Sequence, residues 1–191
     1  MEFAFNPDQE MLRRTLADFS ARELAPAYGS RDQDEDLPRS LVFKLGELGL
    51  LAPMTEERHG GQGLDYVSLG IAHEEIGRAD FNAAYVLLLS GLVGAIVSAR
   101  GDERQRAEYL PPICRGDTVT ALAVTEPGGG SDAAHIRLQA RRDGDSYLLS
   151  GEKTSISLGS WADTALVMAR TGTLEQGAHG VSAFYVDLRA P

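Results

Sequence analysis

The chain contains 191 residues, which is enough for one domain with a sizeable core or for two small domains. Hydrophobic residues make up 43% and charged residues 24% of it, as is typical of a soluble globular protein. The formal net charge of −10 argues against nucleic acid or an anionic membrane as the main partner, because both require a basic surface.

The single cysteine and the first ten residues bear on localisation. Cys114 has no second cysteine with which to form an intrachain disulfide, which suits the reducing cytosol. The opening residues, MEFAFNPDQE, lack the basic and apolar stretches of a secretory signal. We therefore expect a cytoplasmic protein.

Apolar residues recur at helical spacing through the first part of the chain. Asn6 and Gln9 flank Pro7 in the pattern of a capping box, which predicts the start of a helix, and Pro26 is predicted to end that helix or to follow it closely. Further helices are predicted over Pro38–Leu51, from Asp65 to Ile76, and from Asp102 to a stop at Pro111 and Pro112.

Residues 83–99, AAYVLLLSGLVGAIVSA, carry no charge and have two interpretations. The segment is slightly short for a bilayer and is interrupted by Ser90, Gly91, Gly94 and Ser98, which argues against a membrane span. A helix that is apolar all round is also typical of the centre of a helical bundle. We favour the buried core helix and expect no membrane span.

The periodicity changes from helical to alternating after Gly116. Asp143 and Gly144 predict a hairpin turn between two of the strands. We therefore predict an α+β fold, with an all-α bundle at residues 1–117 and an antiparallel β domain at residues 118–191. The predicted strands are Thr118–Val124, Ile136–Arg141, Tyr147–Leu149, Glu152–Ser157, Ala165–Ala169 and Val181–Val186.

Three consecutive glycines in the stretch VTEPGGGSDAAHI resemble a phosphate-binding loop. The Walker pattern is excluded because no lysine followed by serine or threonine comes after them. Gly128, Gly130 and Ala133 match the dinucleotide pattern, but a strand rather than a helix is predicted to follow. Two interpretations remain: an ordinary surface turn, or a loop whose backbone N–H groups and Ser131 hydroxyl bind an anion.

Several ordered motifs resemble those of the acyl-CoA dehydrogenases. AVTEPGGGSD is similar to the family signature T-E-P-x-A/G-G-S-D, and GDSYLLSGEKTSISLGSWAD is similar to G-D-x-Y-x-L-N-G-x-K-x-W-I-T-N-G-x-x-A-D. Upstream, EERHGGQGLD, EEIGRAD and YLPPICRGD resemble the family's helical domain and linker. The resemblance covers the whole chain and implies a helical domain followed by part of the middle β domain.

The resemblance implies that this chain contributes to an FAD site. Thr125 would hydrogen-bond the pyrimidine edge of the flavin, and Ser157 would donate to the N5 region. Gly130 and Ser131 would meet the FAD phosphates, and Ser131 would also touch the acyl-CoA. The implied cofactor-binding residues are Leu122, Val124, Thr125, Gly130, Ser131, Ser155, Ile156 and Ser157.

Two positions depart from the family pattern. Ser155 replaces the usual tryptophan and Leu158 the usual asparagine. Loss of a large aromatic ring opens space beside the flavin, which suggests a bulkier or cyclic acyl group. The alternative is that Trp161 or another residue fills the gap.

The activity that the resemblance implies is α,β-dehydrogenation of an acyl-CoA thioester, with an electron-transferring flavoprotein as acceptor and a homotetrameric enzyme. No carboxylate in the sequence matches the family's catalytic glutamate, so we expect no catalytic residue here and a base in a missing C-terminal helical domain. The alternatives are an acyl-carrier-protein-linked dehydrogenase, a flavin oxidase, or a non-catalytic fragment or partner subunit.

The remaining polar residues favour structural roles. Glu74 and Glu75 are adjacent on a helix and do not face each other, so a salt bridge to Arg78 is expected instead of an acid–base pair. Cys114 is expected to be a small apolar filler. The basic patch of Arg137, Arg141 and Arg142 is either a solvated face or a contact for the CoA nucleotide, and His59, His73, His135 and His179 lack metal-ligand spacing.

Overall fold

The computed structural model describes residues 4–33 and 37–189. It contains two compact units, which meet at the peptide between Thr118 and Val119. The first unit is helical and the second is built on a β-sheet, which confirms the predicted order of helices followed by a sheet.

The helical unit starts as the capping pattern predicts. The amide of Gln9 donates to Asn6 Oδ1 at 2.8 Å, and the amide of Asn6 donates to Gln9 Oε1 at 3.1 Å. Asp65 and Asp102 cap two later helices through their carboxylates. The α-helices in the described part of this unit are α1 Pro7–Phe19, α2 Tyr28–Gln33, α3 Arg39–Glu47, α4 Tyr66–Ala79, α5 Phe81–Arg100 and α6 Glu103–Arg115.

Pro26 closely follows the first helix, as predicted, because α1 ends at Phe19 and its π-helical continuation at Leu24, whereas Pro111 and Pro112 do not end α6. Pro26 lies in the first turn of a short 3-10 helix, Ala25–Ala27, where a missing N–H costs no helical hydrogen bond. Pro111 and Pro112 lie inside α6, whose last turn is held by the buried side chains of Ile113 and Cys114. That burial offsets the lost hydrogen bonds, and the helix ends only at the left-handed residue that follows Arg115.

Helix α5 is the one helix in the described chain that is long and apolar enough to cross a membrane by length and composition. It contacts α4 and α6, and Val86, Leu87 and Val93 on that side are buried. Phe81 and Leu88 are exposed. The helix is therefore buried along one side only, whereas the sequence predicted burial all round.

Helix α4 carries the two adjacent glutamates. The guanidinium of Arg78 lies 2.8 Å from the Glu74 carboxylate and 3.8 Å from that of Glu75. The predicted salt bridge is confirmed.

The sheet of the second unit is mixed, and the prediction of a purely antiparallel sheet is wrong. β4 pairs in parallel with β1 and antiparallel with β5, while β2 and β3 form an antiparallel hairpin. A parallel pair is possible because the hairpin and its flanking loops give the chain a long crossover between β1 and β4. The strands are β1 Thr120–Ala123, β2 Gln139–Asp143, β3 Ser146–Ser150, β4 Thr164–Arg170 and β5 Val181–Asp187.

The segment Glu152–Ser157, predicted as a strand, is an irregular turn. Ser155 has a φ of +54° and Leu158 a φ of +61°, and left-handed residues cannot continue a pleated strand. The core of the sheet lies on one face and is built mainly from small side chains. Its buried members are Ala121, Ala123, Leu138, Ala140, Ala165, Val167 and Ala169.

Candidate functional site

The two predicted flavin segments, residues 122–125 and 155–157, are connected by hydrogen bonds from the residues that precede the second segment. The amide of Thr154 donates to the carbonyl of Thr125 at 3.0 Å. The Lys153 ammonium donates to the carbonyl of Val124 at 2.8 Å and to Glu126 Oε1 at 2.9 Å. Residues 124–126 are therefore held beside residues 153–154.

Glu126 connects a third part of the chain to these two. Its carboxylate accepts hydrogen bonds from the backbone amides of Arg137, at 2.7 Å, and Leu138, at 2.9 Å. Burial alone would raise the pKa of Glu126, but the amides of Leu138 and Arg137 and the Lys153 ammonium together lower it below its ordinary value. Glu126 is consequently an ionised, nearly buried carboxylate, with a side chain 10% exposed.

No role was predicted for Glu126 or Lys153 from the sequence. Two signals were available. Both residues lie inside the quoted motifs, and Lys153 is one of only two lysines in a chain with 18 lysines and arginines in total. Their partnership is not visible in the sequence, because local spacing does not indicate contacts between distant residues.

The glycine loop, residues 127–131, begins with a tight turn in which the Glu126 amide donates to the Gly129 carbonyl at 3.2 Å and the Gly129 amide to the Glu126 carbonyl at 3.0 Å. A Cβ placed on Gly128 or Gly129 would meet no atom within 4 Å. A Cβ on Gly130 would lie 3.3 Å from Cγ2 of Thr125. The loop is therefore open at its tip and packed against Thr125 at Gly130.

Arg170 holds the chain that follows the glycine loop. Its side chain is fully buried, and it donates to the carbonyls of Ala134 at 2.7 Å and Ile136 at 3.0 Å. The same guanidinium donates to the carbonyls of Thr173, at 3.2 Å, and Gly177, at 2.8 Å. This second anchor was also missed, since an arginine ending an apolar strand looks like an ordinary exposed residue.

Two clefts border these segments. One, of about 420 Å³, lies along the glycine loop, and its lining includes Gly128, Asp132 and Glu152. The other, of about 670 Å³, lies against the small side chains of the sheet core. Its wall includes Ser155 and Ile156. Among the described residues, Trp161 does not belong to that wall.

The structure brings some of the predicted site residues together and leaves others apart. Val124, Thr125 and Gly130 lie together, with Ser155 next to the residue that binds Thr125. Leu122 is half-buried and alternates with Ala121 and Ala123, so it points to the other face of the sheet from the core. Ile156 instead packs against the core, and Ser131 and Ser157 are exposed.

The structure also places the other residues considered from the sequence, among them His135, whose Nδ1 lies 2.8 Å from the Asp132 carboxylate. Cys114 is buried, and burial raises the pKa of its thiol to about 11, which fits the predicted filler role. No group of three metal-ligating side chains occurs in residues 4–33 and 37–189. Arg137, Arg141 and Arg142 are exposed beside the hairpin.

Comparison with known proteins identifies the family to which both parts of the chain are similar. The N-terminal domain of acyl-CoA dehydrogenase matches residues 6–117, and the middle domain matches residues 121–191. An acyl-CoA dehydrogenase of Bacillus subtilis (strain 168) is 36% identical over 96% of this chain and 48% of its own length.

Solved structures agree with the fold. A chain from a study of the electron transferring flavoprotein of Acidaminococcus fermentans has a TM-score of 0.92 and 36% identity, over all of this chain and 50% of that one. A glutaryl-CoA dehydrogenase from Mycobacterium smegmatis in complex with FADH2 has a TM-score of 0.88 and 30% identity, over 98% of this chain and 47% of that one.

The chain spans about half the length of the curated relatives that it matches. The two domain matches follow each other in chain order and cover nearly all of it. The chain belongs to the acyl-CoA dehydrogenase family.

Proposed function

We propose that this chain supplies the FAD-binding and substrate-binding half of an oxidoreductase that introduces an α,β double bond into an acyl-CoA thioester. The observation that carries the proposal is the junction of residues 124–126 with residues 153–154 beside an open glycine loop. FAD, when bound, would accept the hydride that leaves the β carbon of the substrate. The residues of this chain would hold and orient the two reactants.

The donors present suit a flavin nucleotide. The tip of the glycine loop has free space around its backbone, as close approach of a phosphate requires, and the Ser131 hydroxyl is exposed next to it. Thr125, packed against Gly130, would hydrogen-bond the pyrimidine edge, while Leu122 and Val124 would line the ring. In the second segment, Ser155, Ile156 and Ser157 would lie along the ring.

The proton acceptor is proposed to come from outside the matched half. No described carboxylate both matches the motif of the family's catalytic glutamate and lies beside residues 124–126 and 153–154. Glu126 is close to them, but its carboxylate is already occupied by two backbone amides and Lys153. We therefore assign no catalytic residue to this chain.

The substrate is proposed to be an acyl-CoA with a bulky or cyclic acyl group. Ser155 is exposed on the wall of an apolar cleft of about 670 Å³, and Trp161 is not among the residues that line it. A small side chain at this position leaves space that the usual tryptophan would fill. The likeness to the Acidaminococcus fermentans chain supports an electron-transferring flavoprotein as acceptor. A cytoplasmic homotetramer remains part of the proposal.

Titration of the purified chain with FAD, followed by flavin absorbance and fluorescence, tests the proposal directly. Saturable binding with a perturbed flavin spectrum is expected. Turnover would then be assayed with acyl-CoA and a dye acceptor, with the chain alone and within a full-length protein. Binding without turnover by the chain alone would identify it as a non-catalytic half, and absence of FAD binding in both forms would contradict the proposal.

A further inference from the structure

We infer that the buried pair of Glu126 and Lys153 positions the flavin site, by holding the two segments that contact FAD at a fixed separation. The inference rests on the proposed function, because it concerns the same cofactor. Neither residue is proposed to touch substrate or cofactor. Both act through the backbone of their neighbours.

Three separate parts of the chain meet at this pair. Glu126 accepts from the amides of Arg137 and Leu138, which follow the glycine loop. Lys153 donates to the carbonyl of Val124, which precedes the loop. The pair therefore connects the residues on both sides of the glycine loop to the segment that leads from Lys153 to Ser155.

The energetics of burial argue that the pair has a role beyond stability. The side chains of Lys153 and Glu126 are 8% and 10% exposed, so both charges are largely removed from water. A buried ion pair often stabilises a fold no better than apolar side chains of the same volume, because desolvation offsets the attraction. Here the remaining hydrogen bonds of both residues go to the backbone of the candidate site, which a pair of apolar side chains could not provide.

The backbone next to Lys153 needs such support. Ser155 adopts a φ of +54°, a conformation that a residue with a side chain keeps only when its surroundings enforce it. Lys153 and the hydrogen bond from Thr154 to Thr125 fix the two preceding residues. The orientation of Ser155 therefore depends on the pair.

Three variants of the full chain separate positioning from stability. Lys153→Met frees the Val124 carbonyl and leaves the Glu126 charge unpaired, so it is expected to weaken FAD binding by about tenfold or more and to lower the urea midpoint. Lys153→Arg keeps a cation and its donors and should retain most of the affinity. The double variant Glu126→Gln with Lys153→Met leaves no buried charge at this site, so it should regain stability without regaining FAD affinity.

Val186→Ala serves as the matched control, because it removes core volume from β5 and leaves the pair intact. It should lower the urea midpoint while FAD affinity and the bound-flavin spectrum stay unchanged. The inference would be overturned if FAD affinity changed in parallel with the urea midpoint in every variant, including a recovery of both in the double variant. The proposed function would then remain intact. Absence of FAD binding by the wild type, both as the chain alone and within a full-length protein, would overturn both.

Discussion

Gly130 packs against the side chain of Thr125, with only 3.3 Å between the position of a Cβ on the glycine and Cγ2 of the threonine. The turn proposed to meet the phosphates and the residue proposed to meet the flavin ring are therefore in contact. A side chain added at Gly130 would therefore press against Thr125. The neighbouring Gly129 has no such contact, which makes the two glycines a matched pair for experiment.

Gly130→Ala is expected to weaken FAD binding several-fold, because the added methyl group must displace the Thr125 side chain. Gly129→Ala places its methyl group in open space and should bind FAD as the wild type does. Fluorescence titration of both variants with FAD measures the difference. Equal affinities would show that the contact between Gly130 and Thr125 is irrelevant to the cofactor.

Leu158→Asn is expected to stabilise the protein by about 0.5–1 kcal/mol, since asparagine tolerates a left-handed backbone better than leucine does. The φ of Leu158 is +61°, and its side chain is only partly buried. The same substitution at Leu148, an exposed strand residue, should destabilise instead. Urea unfolding of the two variants provides the test, and a loss of stability at position 158 would contradict it.

Gly151→Ala is expected to destabilise the β unit by about 2 kcal/mol or more. Gly151 has a φ of +145°, and an added Cβ would lie 2.8 Å from Cα of Leu138, where a backbone atom must move. Gly144, with a φ of +62° and open space around it, is the control, and its replacement by alanine should cost about 1 kcal/mol. Thermal and urea unfolding measure both costs, and a larger loss at Gly144 would refute the explanation.

Stability should fall on acidification in a way that depends on Glu126. Hydrogen bonds lower the pKa of this residue in the folded protein despite its burial, so its contribution is present above the unfolded pKa of about 4.3 and is lost as pH falls through the folded pKa. Glu126→Gln should therefore flatten the fall in unfolding free energy below about pH 5. Parallel pH profiles for the two proteins would contradict this assignment.

Ser155→Trp should reduce turnover of ring-bearing acyl-CoAs relative to straight-chain ones by about tenfold in a full-length protein that contains this chain. The added indole would occupy the space that Ser155 leaves on the wall of the apolar cleft. Ratios of kcat/KM for paired substrates cancel any general loss of activity. Unchanged ratios would mean that this cleft does not receive the acyl group.

The sequence predicted best those features that depend on neighbouring residues. The capping box at Asn6, the cap at Asp65 and the apolar run of β4 are set within a few positions, and each is present in the structure. The parallel pairing of β1 with β4 depends on distant strands and was predicted wrongly. Left-handed conformations at Ser155 and Leu158 oppose local propensity, so no local rule could indicate them.

In the candidate site, too, the features set by neighbouring residues were predicted and those set by distant contacts were not. The motifs located Thr125, Gly130 and Ser155, but not the residues that hold them in place. Glu126 and Lys153 are 27 positions apart, and their contact is a product of tertiary packing. Which atoms a buried charge binds is decided by the fold around it, and periodicity and composition carry no information about that choice.

The Arg170 guanidinium connects two segments that are distant in sequence, residues 134–136 and residues 173–177. One rigid, planar group is bonded to Ala134 and Ile136 on one side and to Thr173 and Gly177 on the other. A lysine offers a single ammonium and cannot reach four carbonyls in this fork-like arrangement. A displacement of the turn after β4 that moves the Arg170 guanidinium would also shift Ala134 and Ile136, which follow the glycine loop, so mutations in that turn can alter a binding site with which they have no contact.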